Sequence, residues 1–318
     1  IGFEQLFAGW LAANYLDGAL PGRDAPYRFH GIELAPLRLA RTIEGIPAQV
    51  EGSVVPYGAD YILLPATSLL SVEFSGVTRT LLLPTAPHGG RNCWWSNRAD
   101  QALTALTWEL DLSPVPTATL RYWAWYDLEE GFDYVTLEAR REDSPEWELL
   151  RPGSATDANP HGNNPGWGYT GRSSASPDWI AEQVDLTPFC GGRVQIRFTY
   201  LTDEAVTGEG FLLDDVRVPE IGFAAGAEAG ETLAPTLDGF LRTDGWVPQR
   251  YLALLIGTGE TASVEPLAVD RSGRGSWAID AQARGWSGAV LVLAGLAPLT
   301  THAAPYRLTI RAAENDTP

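Results

Sequence analysis

The stretch that decides the fold is residues 121–135, which read RYWAWYDLEEGFDYV. It begins with a strand-like run of alternating aromatic and other residues, and a second strand-like run starts at Tyr134. Four carboxylates lie between the two runs, within seven residues and around Gly131: Asp127, Glu129, Glu130 and Asp133. Carboxylates this close repel one another unless a cation lies among them. The sequence therefore predicts an acidic β-hairpin held by a cation, with a solvated loop as the alternative.

The composition is typical of an all-β protein. The 318 residues include 33 glycines and 23 prolines, only 19 % are charged, and short apolar runs are separated by turn signals. Residues 3–16 depart from this pattern, because their apolar side chains follow helical spacing and Gly18 and Pro21 come next. The length favours two or three domains. We predict an all-β, multi-domain β-sandwich with one N-terminal helix, which must pack on the sheets or on a segment before it.

Charge and motifs exclude several functions. The formal net charge of −18 argues against nucleic-acid binding, which needs a basic surface, and suits calcium and an extracellular setting. A run of about 18 apolar residues is absent, so we do not expect the chain to span a membrane. Because it begins at Ile1 without a signal peptide, we expect a processed chain or a fragment. The motifs His-Glu-x-x-His and Gly-x-Ser-x-Gly are also absent, so we predict no catalytic residues.

A second acidic stretch lies at residues 211–218, which read FLLDDVRV. In a strand, Asp214 shares a face with Leu212 and Val216, where a carboxylate is costly unless it is paired or bound to a metal. Calcium fits such sites, because it accepts about six to eight oxygen ligands in irregular geometry. The candidate calcium ligands are Asp100, Asp127, Glu129, Asp133, Asp203, Asp214 and Asp215. The alternative is a set of salt bridges to arginine, with Arg121, Arg197 and Arg217 as candidates.

The two cysteines, Cys93 and Cys190, both lie in predicted loops near glycine. In an oxidising compartment we expect them to form a disulfide, which would close a loop of about 100 residues and stabilise the fold by about 4 kcal/mol. Two unrelated buried thiols are the alternative.

Some of the 12 tryptophans could form a binding platform. Trp94 and Trp95 follow a Gly-rich segment, and Trp167 and Tyr169 lie in the long segment 151–178. Together they are candidates for stacking on a sugar. The alternative is that they belong to the core or anchor loops, as most aromatic side chains of sandwich proteins do.

Several of these motifs, in this order along the chain, resemble the immune inhibitor A-like secreted metallopeptidases. They are residues 93–98 (CWWSNR) with Asp100, 125–129 (WYDLE) with 133–134 (DY), 185–187 (DLT) and 210–216 (GFLLDDV). In that family they belong to a MAM-like jelly-roll domain after the catalytic domain. Residues 50–52 (VEG) with 56–61 (PYGADY) resemble the family's small β-domain, and the helix with 13–14 (AN) and 16–17 (LD) resembles the end of its peptidase region. Residues 245–246 (GW) and 304–306 (APY) resemble a C-terminal β-sandwich.

Composition and resemblance together divide the chain into consecutive segments. These are a helical lead-in (1–21), a small β-domain (22–88), a MAM-like jelly roll (89–220), a small-residue linker (221–231) and a C-terminal β-sandwich (232–318). The resemblance implies that the jelly roll binds a structural calcium ion through the carboxylates named above. It also implies that the peptidase zinc is held elsewhere, because its binding motif is not in this chain.

The resemblance implies a function at the level of a longer protein. We expect a non-catalytic accessory region of a secreted zinc metallopeptidase, which shields or orients the catalytic domain and binds protein or cell-surface partners. The residues of this chain do not show whether it is part of an enzyme. The alternatives are an extracellular adhesin or assembly subunit without protease activity, and a carbohydrate-binding module with a glycan as its partner.

Overall fold

The computed structural model describes residues 2–19, 27, 29, 31, 35, 37–65, 69–173, 178–230, 233–260 and 262–313. The described chain starts with the helix α1 (Phe3–Ala19), followed by β1 (Arg41–Thr42), β2 (Ala48–Val54), β3 (Ala59–Leu64), β4 (Leu70–Gly76) and β5 (Arg79–Leu81). The next strands are β6 (Cys93–Trp95), β7 (Leu103–Asp111), β8 (Thr119–Asp127), β9 (Tyr134–Arg141), β10 (Glu148–Leu149), β11 (Gly168–Tyr169), β12 (Ile180–Asp185), β13 (Arg193–Leu201), β14 (Gly210–Val218), β15 (Phe223–Ala225), β16 (Thr236–Asp238) and β17 (Leu241–Thr243). The last are β18 (Trp246–Pro248), β19 (Tyr251–Thr258), β20 (Ser263–Leu267), β21 (Arg274–Ile279), β22 (Gly288–Gly295) and β23 (Ala304–Ala312).

The predicted all-β class with an N-terminal helix is confirmed by this element order. Alternation of apolar with other residues also predicts strands at residues 119–126 and 193–200, and the structure confirms both, each within one residue at its C-terminal end. Within the described ranges, no helix combines the length and the apolarity that a membrane-spanning helix needs.

The first compact unit combines the residues up to Leu82 with those from Trp246 onward. One of its sheets has the strand order β1-β3-β22-β19-β20, a second has the order β2-β23-β4-β21, and β5 pairs with β18. The two larger sheets share an apolar core, to which Ile62 and Leu291 contribute from one sheet and Phe74 from the other. This unit is therefore a β-sandwich built from both ends of the chain.

Helix α1 packs on the outer face of the first of these sheets. Phe7 and Leu11 join a second apolar cluster with Val292 of β22, and the Tyr61 hydroxyl donates a hydrogen bond to the Leu11 carbonyl over 2.8 Å. Other side chains of the predicted apolar face remain exposed to solvent: Phe3, Leu6 and Trp10 are 60 %, 61 % and 48 % exposed. Because apolar side chains surround the helix, helical spacing alone did not show which of them meet the sheet.

The second compact unit, Leu83–Gly245, is a sandwich of two antiparallel sheets. One sheet has the order β10-β9-β13-β7-β16 with β11 paired to β9, and the other has the order β12-β8-β14-β6-β17 with β15 paired to β14. Alternate side chains of each strand fill the space between the sheets. Tyr122 of β8, for example, contacts Phe198 of β13 edge-on, with ring centroids 5.1 Å apart. The other alternate side chains of β8, which include Arg121 and Trp123, lie on the outer face of the sheet that contains β8.

The strands group differently from the predicted segments 22–88 and 232–318. Strand β2 pairs with β23 from Ala48–Ile310 to Val54–Ala304, and β3 pairs with β22, so the two predicted domains share both large sheets. The predicted linker 221–231 also contributes to a fold, because β15 pairs with β14. Each strand buries its apolar face only when its partners come from the far end of the chain, and a single sequence does not show that pairing.

A buried tyrosine pair offers a test of the second sandwich core. The hydroxyls of Tyr122 and Tyr169 lie 2.6 Å apart, and both side chains are buried. We expect Tyr169→Phe to lower the free energy of unfolding by about 1–3 kcal/mol, because the Tyr122 hydroxyl then lacks a partner. The double variant Tyr122→Phe/Tyr169→Phe should regain much of that loss in urea unfolding. A double variant whose loss equals the sum of both single losses would contradict this account.

The predicted disulfide is wrong, because Cys93 and Cys190 are both free thiols. Cys93 lies in β6 rather than in a loop, and burial raises the pKa of its thiol, followed by the nearby charge of Asp214. Cys190 follows a short 3₁₀ helix (Thr187–Phe189), and its sulfur lies 3.9 Å from the Leu186 carbonyl oxygen. The two thiols therefore have different surroundings.

Candidate metal centre

Strand register brings three acidic loops to one end of the second sandwich. Tyr134, the first residue of β9, lies opposite Leu201, the last residue of β13. Leu201 also lies opposite Leu103, the first residue of β7. The residue before β9 is Asp133, and Asp203 comes just after β13. These two carboxylates, far apart in the sequence, therefore meet because antiparallel partners begin and end at the same edge.

Three carboxylates form the cluster at this end. Glu129, Asp133 and Asp203 each offer an oxygen, and these atoms all lie within 4.8 Å of one another. Asp133 is fully buried; its Oδ1 accepts a hydrogen bond from the Asp203 backbone N–H at 3.2 Å, and its Oδ2 accepts one from the Tyr200 hydroxyl at 3.3 Å. No arginine or histidine among the described residues forms an ion pair with any of the three. Among the described residues, the cluster therefore carries negative charge that no ion-paired side chain balances.

The electrostatic cost of this cluster falls on Asp133. Burial raises the pKa of its carboxyl to about 6, the hydrogen bonds from Asp203 and Tyr200 oppose that rise, and the charges of Asp203 and Glu129 add to it. A bound cation would reverse the balance, because it favours the ionised form of every oxygen that it contacts.

The backbone that carries Glu129 is held in place by the long segment 151–178. The Thr170 hydroxyl accepts a hydrogen bond from the Gly131 N–H at 2.8 Å and donates one to the Glu129 carbonyl at 3.1 Å. The Leu128 N–H donates to the Gly171 carbonyl at 2.8 Å. The predicted β-hairpin is wrong, because β8 pairs with β12 and β14 whereas β9 pairs with β10, β11 and β13, so the acidic stretch is a loop between the two sheets. Thr170 and Gly171 therefore fix this acidic loop, and an oxygen site on a fixed backbone needs less ordering when an ion binds.

Two of the other predicted ligands lie at the same end but outside the cluster. Asp127 accepts a hydrogen bond from Arg172 Nε at 2.9 Å, so its charge is balanced. Asp100 is exposed on the loop before β7. That loop is tied to the cluster by its backbone, since the Gln101 N–H donates to the Asp203 carbonyl at 2.5 Å.

Asp214 and Asp215 lie in a different part of the sandwich. Gly210 of β14 is opposite Asp127, so Asp214 is four residues further along the strand, roughly 13 Å from that end. Asp214 is fully buried and accepts hydrogen bonds from the Gly89 N–H at 2.9 Å and from the Asp215 N–H at 2.7 Å. Its charge is thus met by two backbone N–H groups, as in an anion-binding turn.

Asp215 sits at a bulge in β14 and is paired with two side chains. Its backbone has a φ of 49°, and the register of β14 with β8 shifts at this point. Its carboxylate lies 2.8 Å from His88 Nδ1 and 2.6 Å from the Arg217 guanidinium. This is the arrangement expected from the arginine alternative, whereas His88 was not predicted as a partner.

The two neighbouring carboxyls have opposite pKa shifts. Burial raises the pKa of Asp214 to about 6, against the hydrogen bonds from Gly89 and Asp215. For Asp215, burial acts in the same direction, but the hydrogen bonds from His88 and Arg217 outweigh it and hold the pKa below its usual value. Asp215 therefore keeps its charge at mildly acidic pH, where Asp214 binds a proton.

Three of the four aromatic side chains predicted to stack on a sugar are buried in the sandwich. Trp94, Trp95 and Tyr169 are at most 2 % exposed. Trp167 is half-buried, and the Arg151 guanidinium stacks on one face of its ring, with its central carbon 3.8 Å from the ring centroid. The motif CWW forms β6, which has a partner strand on either side, and this explains why these residues are buried rather than in a loop.

Fold and cluster together define the class of this protein: an all-β sandwich protein with a group of carboxylates that could hold a metal ion. The family model described as "Immune inhibitor A-like, MAM domain" matches residues 71–245, which is more than half of the chain. The chain belongs to this immune inhibitor A-like MAM family, and the resemblance seen in the sequence motifs is confirmed.

The curated relatives are much longer proteins. The pre-pro-metalloprotease PrtV of Vibrio cholerae serotype O1 (strain M66-2) is 25 % identical over 224 residues, which cover 64 % of this chain and 23 % of that protein. Immune inhibitor A of Bacillus thuringiensis subsp. alesti is 26 % identical over 212 residues, or 64 % of this chain and 29 % of that protein. Bacillopeptidase F of Bacillus subtilis (strain 168) is 23 % identical over 138 residues, which cover 42 % and 8 %. The chain thus spans less than a third of the length of these relatives.

Proposed function

We propose that this chain is a non-catalytic, calcium-stabilised accessory region of a secreted zinc metallopeptidase. It shields or orients the catalytic domain and contributes binding surface for protein or cell-surface partners. The observation that supports the proposal is the match of residues 71–245 to the MAM domain model of immune inhibitor A-like proteins. The named relatives include a pre-pro-metalloprotease and an immune inhibitor A, in which the matched part is 23 % and 29 % of the length. The catalytic domain and the zinc belong, in this proposal, to the remainder of the parent protein.

The cluster of Glu129, Asp133 and Asp203 is the proposed calcium site. Its donors are carboxylate oxygens, which suit a hard cation such as calcium and not the softer metals that prefer sulfur or imidazole. The buried Asp133 carboxylate has only two long hydrogen bonds, at 3.2 and 3.3 Å, and no cationic partner among the described residues. A calcium ion would supply the missing positive charge and join the acidic loop between β8 and β9 to the segment after β13.

The position of the chain in its gene tests the accessory role. We expect the reading frame upstream of Ile1 to encode His-Glu-x-x-His and a third metal ligand in the same polypeptide. We also expect the isolated chain to bind that catalytic domain in size-exclusion chromatography and to lengthen its half-life several-fold. An unrelated acidic β-sandwich protein of similar size is the control. A signal peptide directly before Ile1, without any peptidase sequence, would contradict the proposal and favour an adhesin.

A further inference from the structure

A groove lies on the outer face of the second sandwich, away from the carboxylate cluster. It has a volume of about 420 Å³ and crosses β12, β8 and β14. Its wall includes Arg121, Trp123, Ala181, Gln183, Asp215 and Arg217. This volume lies at the lower end of the range of small-molecule sites and suits a ligand of one or two rings.

Cross-strand register sets the polar row of the groove. Arg121 of β8 is opposite Gln183 of β12 on one side and opposite Arg217 of β14 on the other. Side chains of directly opposite residues lie about 4.5–5.5 Å apart at their Cβ atoms. Two guanidinium groups and an amide, all planar donors, therefore stand side by side across three strands.

The two arginines differ in their partners. Arg217 forms an ion pair with Asp215 at 2.6 Å, and Asp215 is also bound by His88. Arg121 has no hydrogen bond or ion pair with any described residue; its one electrostatic partner is the exposed Glu220, whose pKa is lowered first by backbone hydrogen bonds and, to a smaller degree, by Arg121. Arginines directly opposite each other repel. An additional anion between them would relieve that repulsion, and Arg121 has its donors available for one.

The next row along the strands supplies an apolar surface. Trp123 of β8 is opposite Ala181 of β12, and this small side chain leaves space beside the indole. On its other side Trp123 is held by His88, whose ring stacks on it with centroids 3.9 Å apart and an interplanar angle of 16°. The indole is therefore fixed in one orientation and borders the groove next to the arginine row.

The geometry points to a binding site for an acidic sugar, and we propose that this groove holds one hexuronic acid unit of a glycan. The sugar carboxylate lies against Arg121, whose fork of N–H groups suits two-point binding of a carboxylate. The Gln183 amide donates a further hydrogen bond, the Asp215 carboxylate accepts one from a ring hydroxyl, and the apolar face of the sugar contacts Trp123.

An acidic peptide is the other carboxylate source, and the position of the groove disfavours it. Extended peptides bind sheets mainly by adding a strand at an edge, where backbone groups are unpaired. The centre of this groove is β8, which has β12 and β14 paired on either side, so no backbone edge is available there. A compact ring over an indole matches the site better than a strand does.

The proposal is tested with the full chain and a disaccharide of two hexuronic acid units. Tryptophan fluorescence and saturation-transfer NMR should show saturable binding, and the neutral disaccharide of the same linkage should bind at least about 10-fold more weakly. Arg121→Ala should raise the Kd by about 10-fold or more, and Arg121→Lys by less, since lysine keeps the charge but loses the fork. The matched control is Arg193→Ala, which removes an exposed arginine paired with Glu109 on the other sheet of the same unit and should leave the Kd within about twofold.

Each remaining outcome overturns the proposal. Absence of saturable binding to the folded chain, or equal binding by Arg121→Ala of unchanged melting temperature, would show that the groove is not a carboxylate site. Equal affinity for the neutral disaccharide would show that the two arginines do not recognise the sugar carboxylate. Arg121-dependent binding of a glutamate-rich peptide, without binding of the uronate, would assign the groove to a protein partner.

Discussion

Removing calcium with EGTA should lower the melting temperature of this chain by about 5–10 °C. A ligand present at about 100 times its Kd adds about 2.7 kcal/mol to the free energy of unfolding, and each kcal/mol is worth about 2–4 °C in a domain of this size. The effect arises because the buried Asp133 carboxylate and its neighbours Glu129 and Asp203 have no other cation among the described residues. Differential scanning calorimetry with and without EGTA, together with metal analysis, measures it.

Two isosteric variants locate the ion. Asp133→Asn should lose most of the calcium response, yet in EGTA it should melt no lower than the native chain, because the neutral amide does not suffer the burial that raises the Asp133 pKa to about 6. Asp127→Asn is the matched control: it removes a nearby carboxylate that already pairs with Arg172, so its calcium response should be retained. Identical melts with and without EGTA, and no bound metal, would refute the calcium site. A response lost in Asp127→Asn but kept in Asp133→Asn would place the ion elsewhere.

The second large effect is expected at Asp214. Asp214→Ala should lower the free energy of unfolding by about 2–4 kcal/mol at pH 7, since the N–H groups of Gly89 and Asp215 both lose their acceptor. Asp214→Asn, which can accept through only one atom, should lose about half as much. Asp215→Ala serves as the control, because it removes only partly exposed pairs with His88 and Arg217 and should cost about 1 kcal/mol or less. Equal losses for Asp214→Ala and Asp215→Ala in urea unfolding would contradict this assignment.

The stability lost in Asp214→Ala should grow as the pH falls. The pKa of Asp214 is about 6 in the folded chain, above the value of an unfolded aspartate. Proton binding therefore stabilises the folded state below the unfolded pKa, and this contribution is lost as the pH rises to about 6. Measured in EGTA, the difference between the native chain and Asp214→Ala should widen by about 1 kcal/mol as the pH falls from 7 to 5. A difference that narrows over this range would show that the carboxylate is held mainly in its charged form.

Local features of the fold could be predicted from the sequence. Alternation of apolar and polar residues identified β8 and β13 closely, and helical spacing identified α1, because such periodicity depends only on neighbouring residues. The clustering of Glu129 and Asp133 is also local, since both lie in the loop between β8 and β9. The family motifs could also be recognised from the sequence, because each is a short run of neighbouring residues.

The limits of the sequence appear where distant segments meet. By sequence, Asp214 is a main candidate for a cation site and Asp203 a further oxygen donor, yet strand register brings Asp203 to Asp133 and leaves Asp214 several residues away along β14. The motif CWW read as an exposed loop because the strands that cover it on both sides lie more than 100 residues further along the chain. The disulfide prediction failed for the same reason, because the position of each cysteine in the fold depends on distant segments, and both thiols are free.

The sequence by itself determined the all-β class, strands such as β8 and β13, and the clustering of carboxylates in the loop between β8 and β9. Only the tertiary structure decided that β2 and β23 complete one sheet, that Asp133 gains Asp203 as a neighbour, and that Arg121 stands between Gln183 and Arg217. The physical reason is that backbone hydrogen bonds between strands are the same whatever the side chains are. The register between two strands is therefore set by the burial of all the apolar faces together.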